Sequence, residues 1–360
     1  MYRPSQLFHT LILLHFCVGH PTVKRSDSQS PISDPSFGPI PGQAEVYNDY
    51  LGKAPPFPAN MSGPVPALAN GPPGPDDPLF QTLLSAEWVI YSFYQSAVEA
   101  FNTSSFTALG LPNTTYDRIC QIRDNEAGHL RIFQDSISAT SLKPGTCNYT
   151  YPYTDAEGFL AIQVLIEVAS QAFLTGLTME AKLNASKGAL VAVAEVETRH
   201  NTWALIDVWN ANPFTGPADT VFPYANQILD TTKQFIVPGS CPTENPVYPN
   251  PDQSLPGLSF NANTTTGRPG ANLTFTFPDG APAYMEGQEY YAVYFHGIFN
   301  ISVPFDTTTN VSTIPAEFDK KGIIIAVITD EPGAPTLDSV VAGPAILLEQ
   351  PKTLTLEVLV

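Results

Sequence analysis

The chain has few basic residues and few histidines for its length. Lysine and arginine number 16 against 34 aspartates and glutamates, which gives a formal net charge of -18 over 360 residues. Because an acidic surface is repelled by nucleic acid and by anionic membranes, we expect neither as a partner. Three of the six histidines lie in the first 20 residues, so imidazole chemistry elsewhere is restricted to His129, His200 and His296.

Long apolar runs are also scarce. Leu7–Val18 follows Arg3 and precedes Gly19 and His20, a pattern typical of a secretory signal peptide. The run is short for a bilayer span, and an interfacial anchor is the alternative interpretation. No later segment reaches about 18 consecutive apolar residues, so no membrane span is predicted. We therefore predict a signal peptide at residues 1–20 and a secreted protein, extracellular or in the cell wall.

Glycosylation sequons support export independently of the apolar run. The motif Asn-X-Ser/Thr marks acceptor sites for N-linked glycans, which are added only to chains that enter the secretory pathway. Nearly all of the sequons fall where we expect loops or strand ends. The predicted glycosylation sites are Asn60, Asn102, Asn113, Asn148, Asn184, Asn263, Asn272, Asn300 and Asn310.

Cysteine is scarce as well, with four in the chain, and Cys17 would leave with the signal peptide. Cys147 lies in Pro-Gly-Thr-Cys and Cys241 in Pro-Gly-Ser-Cys-Pro, both typical of turns. We predict a disulfide between these two in an oxidising compartment, although three cysteines leave other pairings open. Cys120 falls on the apolar side of a predicted helix and is expected to be a buried free thiol.

Composition divides the chain into segments. Residues 21–75 are rich in Pro, Ser, Gly and Asn without periodicity, which predicts an irregular arm. Asp76-Asp77-Pro78 then predicts a helix start, with Asp as the N-cap and Pro in the first turn. Apolar residues at three- and four-residue spacing predict four helices in residues 76–240, and hence an antiparallel four-helix bundle. The predicted helices are Pro78–Phe101, Thr115–Ser138, Thr154–Leu183 and Ser186–Asn210.

The last third of the chain, residues 241–360, has a different character. A Pro-rich linker leads into short runs of β-branched and aromatic residues, separated by Gly, Pro, Asn and Asp. This pattern predicts a small β-sandwich. The predicted fold class is therefore mainly α plus β, with a helical bundle followed by a C-terminal sandwich.

Two of the predicted helices carry the same short motif. One contains Glu126-Ala-Gly-His129 and another contains Glu197-Thr-Arg-His200. Residues at i and i+3 lie on the same face of a helix, so the Glu and His of each motif can reach one point beside it. Two such helices facing each other would bring four ligands to the centre of the bundle.

Each of the other two helices carries a Glu in an apolar stripe, Glu87 and Glu167. An unpaired carboxylate in a bundle core costs at least several kcal/mol. Four carboxylates and two imidazoles around two divalent cations are mutually neutralised, and this is the ligand pattern of di-iron and di-manganese carboxylate bundles. The alternative is a buried ion-pair network with the arginines that flank the motifs, Arg123, Arg131 and Arg199.

The sequence resembles a known family in the segments that carry these residues. It is similar to the secreted ferritin-like proteins of filamentous fungi, a group of stress-response and late-sexual-development proteins, and more distantly to plant desiccation-related proteins. The resemblance implies a ferritin-like helical domain and an extracellular or cell-wall location, without a settled reaction. The similar segments are Leu84–Trp88, Arg123–His129, Val164–Val168, Val196–His200, Asn212–Pro217, Phe235–Pro242 and Ala342–Pro351.

Two functions from different classes follow. The first is a redox protein that binds two divalent metal ions and acts on O2 or peroxide. Iron is the first candidate for the metal, and manganese is the second. Whether it is an oxidoreductase with turnover stays open. The second is an extracellular binding or structural protein that uses the bundle as a scaffold and contacts cell-wall polysaccharide.

Overall fold

A computed structural model describes residues 62–214, 225–250, 252, 254–260, 269–297, 299–318, 322–333 and 337–349. The predicted signal peptide, most of the predicted arm, and the sequons at Asn60 and Asn263 lie outside the described residues.

The helical part is a four-helix bundle, as predicted. Long helices are joined by short connections, except for the longer connection after the second one, which contains Cys147. A short helix that the sequence did not predict, α2, lies between the first two. The helices are α1 Asp77–Ala100, α2 Thr103–Thr107, α3 Thr115–Ser136, α4 Ala156–Leu177, α5 Asn184–Trp203 and α6 Ala225–Thr231, with a π-helical turn at Ala204–Val208 and a 3-10 turn at Thr232–Phe235.

The helix starts show how local and distant contacts share the capping. Asp155 is the N-cap of α4, and its carboxylate accepts a hydrogen bond from the Gly158 amide at 2.8 Å. Asp76 holds the N-cap position of α1, but its side chain makes no cap hydrogen bond there. It accepts instead from the amides of Lys182 and Leu183, at 2.7 and 3.0 Å. The predicted cap of α1 therefore binds the backbone of the turn that leads into α5.

The bundle consists of two helix pairs. Helix α1 packs mainly against α3, and α4 packs mainly against α5. Aromatic rings join the pairs near one end, where Phe93 of α1 stacks on Phe159 of α4 with ring centroids 4.7 Å apart. These rings are fully buried, so apolar burial fixes how the two pairs meet.

Helix α4 is the most apolar of the described helices. By length and composition it could cross a membrane, and it is the one described helix of which this is true. However, 83% of its apolar window is buried inside the protein, and α4 packs against α5 and α6. A central helix of a bundle is apolar around most of its surface for the same reason.

The C-terminal part is a sandwich of two antiparallel sheets, as predicted. One sheet has the order β1-β2-β5 and the other has the order β4-β3-β6-β7. The short strands β1 and β5 were not predicted from the sequence. The strands are β1 Ser259–Phe260, β2 Asn272–Thr276, β3 Tyr291–His296, β4 Phe299–Pro304, β5 Val311–Thr313, β6 Gly322–Thr329 and β7 Val340–Glu349.

The central strands of the four-stranded sheet are covered on both faces. In β3, Ala292 and Tyr294 belong to the core between the two sheets. The alternate residues Val293 and Phe295 belong to the core that contains the bundle helices. Since neither face of the central strands β3 and β6 meets water, these strands are apolar at consecutive positions rather than alternating. The bundle and the sandwich therefore share a continuous apolar boundary.

A disulfide joins Cys147 and Cys241, the pair that the sequence predicts. It closes a loop with a sequence separation of 94, and the side chain of Asn245 reinforces it with two hydrogen bonds to the backbone of Gly145, at 2.9 and 2.8 Å. Cys120 is a free thiol, but it is half-buried rather than fully buried as expected.

Candidate metal centre

The structure brings all six predicted ligand residues together in the middle of the bundle. None of them is more than 6% exposed, and three of the glutamates are not exposed at all. Each long helix contributes at least one residue. The six are Glu87 from α1, Glu126 and His129 from α3, Glu167 from α4, and Glu197 and His200 from α5.

One group of donors surrounds the ring of His129. Its Nδ1 atom lies 2.9 Å from Glu126 Oε2 and 3.2 Å from Glu197 Oε1. The third neighbour is Glu87 Oε1, at 3.4 Å. The donor atoms of these four residues all lie within 4.8 Å of one another, which is close enough for a single cation to contact all of them.

A second group surrounds the ring of His200 in the same way. Its Nδ1 atom lies 3.1 Å from Glu126 Oε1 and 3.4 Å from Glu197 Oε2. Glu167 Oε2 is the third neighbour, also at 3.4 Å. These donor atoms again lie within 4.8 Å of one another.

Two carboxylates are common to both groups. Glu126 and Glu197 each direct one oxygen toward His129 and the other toward His200. A carboxylate with its two oxygens in two adjacent donor groups is the geometry of a bridging ligand between two cations. The ring centroids of the two imidazoles are 6.4 Å apart, so the two groups are neighbours but distinct.

The hydrogen-bonding state of the cluster tests whether cations fit it. Buried polar atoms in proteins almost always have a hydrogen-bond partner, and each exception needs an explanation. Many of these orphaned atoms among the described residues lie in the two donor groups, where a cation would contact the carboxylate oxygens and one ring nitrogen of His200. The buried atoms without a hydrogen-bond partner include Glu87 Oε1, Glu126 Oε1, Glu167 Oε2, both carboxylate oxygens of Glu197, and both ring nitrogens of His200.

Without bound cations, the four carboxyl groups differ in the direction of their pKa shifts. Burial raises the pKa of Glu87 and of Glu167 well above the ordinary value. Burial also acts on Glu126 and Glu197, but the positive charges of the imidazoles beside them outweigh it and lower the pKa of both. The two carboxylates shared by both donor groups are thus the ones that keep their negative charge.

The imidazoles respond in the opposite direction. Burial alone lowers the pKa of a histidine, yet the surrounding glutamates raise the pKa of His129 and of His200 well above the ordinary value. A histidine that binds a metal ion must be neutral. Loading the cluster with cations would therefore release protons, because the cations take over the compensation of the carboxylates.

Tyr94 is a neighbour of the cluster that the sequence analysis did not single out. Its hydroxyl donates a hydrogen bond to Glu167 Oε1, and the side chain is fully buried. Burial, and the charge of the carboxylate beside it, raise the pKa of Tyr94 well above the ordinary value. Tyr94 lies seven residues after Glu87 on α1, which is two turns along the same face. That spacing was a signal that could have identified it.

The flanking arginines do not form the alternative ion-pair network. The Arg123 guanidinium lies 2.6 Å from Asp124 Oδ1, and Arg199 is exposed. The charge of Arg131 acts on Asp135. In the described part of the chain, the ion pairs of the cluster glutamates are with the two imidazoles.

The remaining predicted residues lie away from the cluster. His296 is buried in the sandwich, with its Nδ1 atom 3.0 Å from the Ile323 carbonyl oxygen. Asn102 is the N-cap of α2 and accepts hydrogen bonds through Oδ1, which leaves its Nδ2 atom available for a glycan. Asn310 is half-buried. The exposed sequon residues are Asn102, Asn113, Asn148, Asn184, Asn272 and Asn300.

Comparison with known proteins agrees with this architecture for part of the chain. A family model described as the ferritin-like domain matches residues 76–206, a range that contains all six residues of the cluster. Comparison with curated proteins gave no match. The matched part is similar to the ferritin-like domain, and the fold is a ferritin-like four-helix bundle followed by a small C-terminal β-sandwich.

Proposed function

We propose that this protein binds two divalent metal ions and uses them in redox chemistry with O2 or peroxide outside the cell. Iron is the preferred metal, and manganese is the second candidate. The observation that carries the proposal is the pair of buried donor groups that share Glu126 and Glu197. Burying each of these four carboxylates would cost several kcal/mol without a compensating positive charge, and two cations would supply that charge.

The donor set supports the choice of metal. It consists of carboxylate oxygens and imidazole nitrogens, and the two groups contain no cysteine. Oxygen-rich sites with some imidazole suit iron and manganese, whereas thiolate ligands would select zinc or copper(I). Two such ions, when bound, supply one-electron chemistry toward O2 or peroxide.

The chain's own residues provide the surroundings for that chemistry. Tyr94 orients Glu167 by donating a hydrogen bond to one of its oxygens, which leaves the other oxygen directed at His200. Aromatic side chains at one end of the cluster, including Phe93 and Phe159, exclude water from the bundle core. A dry and preorganised site strengthens every interaction between the carboxylates and a cation.

The extracellular location is part of the proposal. It is supported by the disulfide between Cys147 and Cys241, since structural disulfides persist in oxidising compartments. Exposed sequons on both the bundle and the sandwich also support it, because a glycan can be attached there without disturbing a core.

The test is metal analysis of the full chain secreted from a eukaryotic host. We expect about two iron or manganese ions per chain, as in other carboxylate bundles of this kind. The double variant Glu126→Ala with His200→Ala should lose both. Glu195→Ala is the matched control, because Glu195 is an exposed neighbour of the cluster on α5. Less than about one ion per unmodified chain would contradict the proposal. Consumption of O2 or peroxide by the loaded protein then tests the redox part.

A further inference from the structure

The two donor groups are mounted differently on the bundle. Glu87 and His129 lie on α1 and α3, which form one helix pair, whereas Glu167 and His200 lie on α4 and α5, which form the other. The shared glutamates come one from each pair. Each group is therefore completed by a carboxylate from the opposite pair, and a shift of one pair would affect its own two unshared ligands most.

The helix that carries His200 does not end as an ordinary α-helix. It continues into the π-helical turn Ala204–Val208, closed by a hydrogen bond from the Trp209 amide to the Ala204 carbonyl at 3.0 Å. Ala204 lies one turn after His200. π-helical turns are rare in proteins and are frequently found at functional sites.

The four-stranded sheet packs against this turn. Ala204 and Leu205 form a buried apolar cluster with Val164 and Val168 of α4. Val168 is the neighbour of Glu167 in sequence, and Val164 precedes Glu167 by one turn. Ile323 of β6 and Ile346 of β7 pack onto the same cluster from the sheet. No residue of α1 or α3 belongs to this cluster among the described residues.

We propose that the sandwich is a positioning element for the Glu167–His200 half of the metal centre, acting through Ile323 and Ile346. The sheet packs against the π-helical turn after His200 and against the residues beside Glu167. This packing fixes the positions of both ligands relative to the shared carboxylates. This inference rests on the proposed function, because it assigns a role to the sandwich in metal binding.

The test compares two faces of the same strand in the full secreted chain. The double variant Ile323→Ala/Ile346→Ala removes the contacts with the turn. Ile324→Ala is the matched control, because Ile324 follows Ile323 on β6 but belongs to the core between the two sheets. The conservative double variant Ile323→Val/Ile346→Val retains most of the apolar contact and should restore the behaviour of the unmodified protein.

Anaerobic titration with Co(II), followed by visible absorption, measures the two binding steps and the ligand geometry. Loss of contacts that orient metal ligands typically weakens metal binding by about 10- to 100-fold. For Ile323→Ala/Ile346→Ala we expect one of the two steps to weaken by about tenfold, with an altered spectrum for that step. The Ile324→Ala control should keep both steps and both spectra, even if its unfolding temperature falls.

Amide hydrogen exchange of the metal-free protein provides a readout that does not depend on metal. We expect faster exchange in residues 200–209 of Ile323→Ala/Ile346→Ala and unchanged exchange there in the Ile324→Ala control. Unchanged exchange in the double variant, or two equally weakened binding steps, would overturn the positioning role. If the unmodified protein bound no Co(II), the proposed metal function would fail instead, while the exchange result would still decide whether the sheet orders the turn.

Discussion

The bundle and the sandwich bury opposite kinds of side chain. The centre of the bundle contains four glutamates and two histidines, whereas the core between the two sheets is built from apolar residues such as Leu273, Phe275 and Ile324. Packing alone accounts for the sandwich core, because burying such residues is favourable by itself. Burial of charged side chains in the bundle centre is unfavourable by itself, and it is tolerated only where opposite charges compensate them. The comparison teaches that the candidate functional residues lie where charged side chains, and not apolar ones, occupy the interior.

The largest expected effect comes from removing a shared ligand. Glu197→Ala should abolish binding of both ions, because Glu197 contributes an oxygen to each donor group. Glu87→Ala should leave about one ion per chain, since Glu87 belongs to one group only. Metal analysis of the two purified variants gives the answer. Equal losses in both would mean that Glu197 is not a bridging ligand.

The next effect concerns stability alone and lies in the sandwich. Phe275 is 1% exposed and packs on Tyr294 and Phe305, so Phe275→Ala should lower the free energy of unfolding by about 3–5 kcal/mol. Denaturant unfolding measures it. Phe299→Ala, at a 70% exposed position on β4, should change the free energy by less than about 0.5 kcal/mol. A folded Phe275→Ala variant with a changed metal content at saturation would contradict the claim that this core contributes to stability alone.

A smaller effect is expected from the tyrosine beside the cluster. Tyr94→Phe keeps the ring and removes the hydroxyl that donates to Glu167, which leaves a buried carboxyl oxygen unpaired. The expected cost is about 1.5–3 kcal/mol in the free energy of unfolding of the metal-free protein. Thermal unfolding after chelation measures it. The control is Tyr153→Phe, whose hydroxyl lies 2.6 Å from Ser96 Oγ rather than near the cluster, and a similar loss in both variants would contradict the role of Tyr94.

The smallest effect is a pH dependence at the start of the bundle. Burial alone would raise the pKa of Asp77, but hydrogen bonds from Ser138, Ser141 and Gly74 lower it below the ordinary value of 3.8. Because the folded-state pKa is the lower one, Asp77 stabilises the fold above about pH 4 and loses that contribution as the pH falls through the folded-state pKa.

Asp77→Asn should therefore cost about 1 kcal/mol at neutral pH and less in strong acid. Denaturant unfolding across a pH series measures the difference, with the exposed Asp117→Asn as the control. A cost that stayed constant from neutral pH to strong acid would show that the hydrogen bonds do not depend on the charge of Asp77.

Local sequence patterns predicted the helices and the six clustered residues, because both depend on spacing within one element. The i,i+3 motifs placed Glu126 beside His129 and Glu197 beside His200, and apolar periodicity identified the helices that carry them. The features that were not predicted depend on contacts between distant segments. The Asp76 carboxylate binds the turn before α5 instead of capping its own helix, and Tyr94 reaches Glu167 across the bundle. The spacing of seven residues from Glu87 could have placed Tyr94 on the face of the cluster, but the partner of each contact leaves no local pattern in a single sequence.

The double-sided burial of the central strands of the four-stranded sheet limits how the protein can be cut. A fragment that ended near residue 240 would expose the helix surface around Val168 and Leu205 to water, and the complementary fragment would expose Ile325 and Val327. Contiguous apolar patches on a soluble protein promote self-association. Expression of either half alone should therefore yield aggregates, and studies of the metal centre should retain the chain through β7.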